Sequence, residues 1–103
     1  MICYRVDFQL IPWSSPANGV REKVYKAGHR QLRLVEYSRN MPPHWCEKGH
    51  YGYVLNGRME IRFENEVHTL SAGDGVFLPS GPEHKHMAKI LTDTATVFFA
   101  EDV

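Results

Sequence analysis

The sequence predicts an all-β fold, an antiparallel sandwich or barrel built as one domain. Helical periodicity is almost absent, and short segments of β-type alternation recur along the chain. Turn residues separate those segments at regular spacing, and Asn56-Gly57 is the strongest hairpin dipeptide among them. At 103 residues the chain suits a single domain with a modest core. Its apolar fraction of 43% fits a folded globular protein rather than a disordered one.

Ser14 to Gly19 reads as a loop by composition. Val24 and Tyr25 sit in a strand that ends at Gly28. Gln31 to Tyr37 alternates Leu32 and Leu34 against Arg33, Val35 and Tyr37. Met41-Pro42-Pro43 breaks the chain before the first of a group of histidines. Tyr51 to Leu55 is a strand, and Asn56-Gly57 turns it back into Arg58 to Glu64. There Met59, Ile61 and Phe63 share one face, and Glu60, Arg62 and Glu64 the other. Val67 to Leu70, Val76 to Leu78 and Ala95 to Phe99 complete the set of strands, with a turn at Ala72 to Gly75.

Twelve basic and twelve acidic residues cancel. The electrostatic footprint of a nucleic-acid binder is missing, so no nucleic-acid partner is expected. A near-zero net charge permits self-association, and a homodimer is expected. Cys3 and Cys46 are read as reduced thiols in a cytoplasmic protein. Arg5 and Asp7 interrupt the first apolar stretch, which argues against a signal peptide. No run approaches a membrane span, and no membrane partner is expected.

The chemistry concentrates in two stretches. His44, Cys46 and His50 share parity in an extended chain and could line one interior. His84 and His86 share parity further on. Imidazole and thiolate together suit Zn²⁺, Fe²⁺, Ni²⁺ or copper, and disfavour Mg²⁺ and Ca²⁺. His29 and His68 read as surface residues, and Trp45, between two inward positions, should point outward. Met59, Ile61 and Phe63 are read as core that can double as the apolar wall of a ligand pocket. His86, Tyr51 and Tyr53 are the candidates for a general acid or base, or for a ligand contact.

The second stretch contains Gly73-x5-Pro79-x-Gly81-x2-His84. With it the chain resembles a small single-domain cupin of the RmlC-like jelly-roll family, whose second motif is Gly-x5-Pro-x-Gly-x2-His-x3-Asn. Ala88 stands at the final asparagine position. The first family motif, Gly-x5-His-x-His-x3,4-Glu-x6-Gly, registers on Gly57, which puts its glutamate at His50, its histidines at His44 and Cys46, and its leading glycine at Ser38. The resemblance covers about residues 30 to 99, with N-terminal strands in about residues 1 to 29.

It implies a cupin-type jelly-roll barrel, usually dimeric, with metal ligands at His44, Cys46, His50 and His84. Replacing an imidazole by a thiolate and a carboxylate by an imidazole softens the site, favouring Zn²⁺ or Fe²⁺, with Ni²⁺ and Mn²⁺ the other candidates. The first expectation is a metal-binding barrel that holds a small organic ligand. One alternative is a metal-dependent dioxygenase or isomerase acting on a small acid or sugar derivative. Another is a metal-free binding or sensor barrel. Fold alone does not choose among these. If Cys46 and His50 diverge, the site left is His44, His84 and His86.

Overall fold

The computed structural model describes residues 3–103. They form nine strands, with one 3-10 turn before the first and another between the seventh and eighth: β1 (Ser14–Ala17), β2 (Val20–Ala27), β3 (Arg30–Ser38), β4 (His50–Asn56), β5 (Arg58–Arg62), β6 (Val67–Ser71), β7 (Gly75–Leu78), β8 (Met87–Ile90) and β9 (Thr94–Asp102). One sheet runs β1-β2-β3-β9-β4-β7 and the other β6-β5-β8, with every pairing antiparallel. The all-β jelly-roll expected from the sequence is the observed architecture.

The core lies between the sheets. Val35, Val54, Met59, Ile61, Val76, Leu78, Ile90, Ala95, Val97 and Phe99 are all buried. Period-2 alternation puts them there: in β9, Ala95, Val97 and Phe99 face inward, and Glu101 continues the same row. In β3 the inward row is Gln31, Arg33, Val35 and Tyr37, and the cross-strand register pairs Gln31 with Glu101 and Arg33 with Phe99. Leu32 and Leu34 therefore lie on the outer face, and Phe8 from the N-terminal 3-10 turn (Phe8–Leu10) packs edge-on over Phe98 on that same face.

Two turns differ from the sequence reading. Ser14–Ala17 is an edge strand, and Asn18-Gly19 is its two-residue hairpin turn, with Ala17 opposite Val20 and Gly19 at φ 76°. An edge position tolerates Pro16, whose missing N–H needs no ladder partner. Asn56-Gly57 does not close a hairpin between paired strands, because β4 and β5 belong to different sheets. It is a corner. Arg58 N–H donates to Thr92 Oγ1 at 3.0 Å, and Leu91 N–H donates to Arg58 O at 3.0 Å, so the chain turns onto the β8–β9 connection instead of onto itself. A side chain at Gly57 would meet Thr94 O at 2.4 Å.

Gly52 also sets the placement of the site, since it lies two residues after His50 on the same strand. An added Cβ there would sit 1.8 Å from Phe98 O. Gly52→Ala must push β4 away from β9, at a cost of about 1–3 kcal/mol or more. Chemical denaturation should show that loss, with the midpoint lowered; an unchanged midpoint would mean that the two strands tolerate a wider gap.

Candidate metal centre

Cys46 lies outside the named strands, in the segment between β3 and β4, yet its position is fixed by backbone. Cys46 N–H donates to His86 O at 2.8 Å, and His86 N–H donates to Cys46 O at 2.9 Å. Residues that exchange both hydrogen bonds are directly opposite, so their side chains leave on the same side. His50 opens β4 opposite Leu78 and faces inward. The donor atoms of Cys46, His50 and His86 all lie within 4.8 Å of one another.

Both imidazoles are held from behind. His50 Nδ1 meets Glu101 Oε2, and His86 Nδ1 donates to the His84 carbonyl at 3.1 Å. With those nitrogens engaged, Nε2 is the ring position left to the cluster, and His50 Nε2 lies 3.9 Å from Cys46 Sγ. The backbone N–H of Lys48 also reaches Sγ, at 3.5 Å. Phe99 packs against the His50 ring at 4.9 Å between centroids.

Glu101 belongs to a charged row on the inner face. Arg33 donates through Nε to Oε1 at 2.9 Å and through an Nη2 hydrogen to Oε2 at 2.8 Å, while Gln31 Nε2 donates to Oε1 at 2.8 Å. Arg33 also reaches Glu22 at 3.3 Å. Burial pushes the Glu101 carboxyl up, but the hydrogen bonds from His50, Arg33 and Gln31 outweigh it and hold it down at about 2. Burial lowers His86, the His84 carbonyl opposes, and the charges of His50 and His44 lower it further, so His86 favours its neutral, lone-pair-bearing form.

The cluster opens on a cavity of about 1220 Å³. Met59, Ile61, Leu78 and Phe99 give it an apolar wall, and Gln31, Arg33 and Tyr37 a polar one. Among exposed residues Trp45, Glu47 and Lys48 mark its mouth.

The remaining predicted residues fall in several places. His44 is exposed and lines the same cavity, outside the three-donor cluster. His84 sits in a second 3-10 turn, Pro82–His84, entered through Gly81 at φ 119°. That turn breaks the strand parity assumed for His84 and His86. The His84 ring lines a smaller cavity of about 420 Å³ with Phe63, its Nε2 3.8 Å from Glu83. Met59 and Ile61 are buried core on the large cavity. The Tyr51 ring packs on Phe77 at 4.8 Å, and Tyr53 is exposed on the outer face of β4. Trp45, expected to point outward, is 47% exposed and lies at the mouth of the large cavity. Glu101 was missed by the sequence reading; the inward parity that Phe99 shares with it was the available signal.

A family model described as a cupin domain matches residues 33–100. The chain belongs to the cupin family. Among solved structures, this cupin is similar to KdgF from a Halomonas species, with 25% identity, a TM-score of 0.71, and 88% of this chain and 86% of that one covered. It is also similar to an RmlC-like cupin from Shewanella frigidimarina, at 12% identity and a TM-score of 0.76 over 98% and 91% of the two chains. The polyketide cyclase RemF from Streptomyces resistomycificus aligns at 21% identity with a TM-score of 0.73, over 98% and 80%. The last two likenesses are of fold. No curated protein matches. No helix among the described residues is long and apolar enough to cross a membrane.

The depressed Glu101 carboxyl makes stability depend on acid. A folded value of about 2 against an ordinary 4.5 adds stability that is fully present above about pH 4.5 and lost as pH falls toward 2, on the order of 3 kcal/mol in all. Denaturation midpoints measured across that window should fall in the wild type and fall less in Glu101→Gln, which has no carboxyl to protonate there.

Proposed function

We propose that this cupin holds one divalent transition metal on Cys46, His50 and His86 and receives a small organic ligand in the adjoining cavity. The supporting observation is the convergence of three soft or borderline donors, from three separate segments, on the wall of that cavity. The donor chemistry suits Zn²⁺ or Fe²⁺ above Ni²⁺ and Mn²⁺. When bound, such an ion supplies Lewis acidity and a coordination position not filled by the three protein groups.

The protein's own residues do the rest. Glu101 and the His84 carbonyl orient the two imidazoles, and the Lys48 N–H stabilises negative charge on sulfur. Phe99, Met59 and Ile61 take the apolar part of the ligand. Tyr37 and Arg33 offer hydrogen-bond donors to its polar part, and His44 meets it near the mouth. Self-association in solution, and a cytoplasmic setting, form part of this reading; the exposed Tyr53, Leu55 and Phe77 give a second copy apolar surface to cover.

Elemental analysis after supplementation with Zn²⁺, Fe²⁺, Ni²⁺ and Mn²⁺ tests the metal. The wild type should hold about one ion per chain, as expected for one three-donor site. His86→Ala and Cys46→Ser should lose most of it while keeping a β-type circular-dichroism spectrum, and His84→Ala should keep it. Full metal in Cys46→Ser sinks the proposed ligand set. A wild type that binds no metal leaves the cavity as a metal-free binding site for a small organic molecule.

A further inference from the structure

The hydrogen-bond demand around Glu101 decides which nitrogen of His50 is free. Four donors converge on its two oxygens. Oε1 takes Arg33 Nε–H and Gln31 Nε2–H, and Oε2 takes an Arg33 Nη2–H together with His50. Neither Arg33 nor the Gln31 amide nitrogen can accept in return. The side chain of Glu101 is 5% exposed and that of Arg33 14%, so water has little room to compensate. A carboxylate so placed leaves His50 no role but donor on Nδ1. In the neutral ring Nε2 then carries the lone pair, and Nε2 is the atom that faces Cys46 Sγ.

We propose that Glu101, clamped by Arg33 and Gln31, is a positioning residue that locks His50 in the Nδ1–H tautomer and so keeps Nε2 open toward Cys46 and His86. The lock is a property of the metal-free protein. Its consequence for metal affinity rests on the metal reading above.

Glu101→Gln turns the lock the other way. A glutamine has one accepting oxygen and one donating NH₂. With the oxygen toward Arg33 Nε and Gln31, the NH₂ opposes a single Arg33 hydrogen and reaches His50. With the oxygen toward His50, the NH₂ opposes both Arg33 Nε–H and Gln31. The first arrangement has fewer donor–donor conflicts, so the amide donates to His50 Nδ1 and the ring's hydrogen moves to Nε2. A tautomer reversal of this kind disables a histidine without removing it.

Nitrogen-15 NMR of ring-labelled, metal-free protein at about pH 8 reads the tautomer directly, above the ordinary histidine range near 6.5. His50 should carry hydrogen on Nδ1 in the wild type and on Nε2 in Glu101→Gln. Zinc affinity, from competition with a chromophoric chelator, should fall by about 10–100-fold in Glu101→Gln. Arg33→Lys separates positioning from general stability. It removes the two-point clamp but leaves Glu101 an acceptor, so it should lower the melting temperature while keeping the Nδ1–H tautomer and near wild-type zinc affinity. Hydrogen on Nε2 in the wild-type ring overturns the proposal whatever metal the protein binds, and that measurement stands even if both variants fail to fold. A protein with the expected tautomers that binds no zinc leaves the lock intact and removes only the metal reading.

Discussion

The interior of this barrel is organised around a carboxylate that does not need water. Glu101 is buried where an isolated charge would be costly, and Arg33, Gln31 and His50 meet its oxygens there. Those partners come from β3 and β4, the two neighbours of β9, so satisfying one charge fixes three strands in register. Breaking the Arg33 contact would leave an uncompensated charge in the core, whereas an apolar residue at both positions would remove the constraint and the site's orientation with it.

The site itself is assembled by backbone more than by side chains. The paired hydrogen bonds between Cys46 and His86 connect a segment outside the strands to the entry of β8, which continues the smaller sheet, while His50 belongs to the larger one. The cluster thus spans both layers. A thiol and two imidazoles meet there without any residue in a strained conformation, since every positive φ among the described residues belongs to a glycine.

The alternation of β4, β5 and β9 was legible in the sequence because each buries one face, and period 2 records that directly. Cys46 and His50 stood out by residue type and motif register rather than by parity, since Cys46 lies outside the strands. The corner at Gly57 was not, since Asn-Gly marks a tight turn equally well whether the next strand pairs back or crosses to another sheet. His84 and His86 were separated by the 3-10 turn that Pro82 begins, and strand parity has no meaning across such a turn. Glu101 escaped because an acidic residue near the end of a strand usually reads as solvated; its burial depends on Arg33, which is 68 positions away in sequence.

Among the described residues, β9 is the only strand that joins β1-β2-β3 to β4-β7 in the larger sheet. Its partners are remote in sequence on both sides, with Arg33 and Gly52 flanking Phe99, so the sheet cannot become continuous until distant parts of the chain have met. Such a topology has high contact order and folds slowly for its size. It also means that the two halves of the sheet have no independent existence as a pair: amides in the middle of β9 can exchange with solvent only when the whole layer comes apart, so the protein's slowest-exchanging hydrogens should report its global stability.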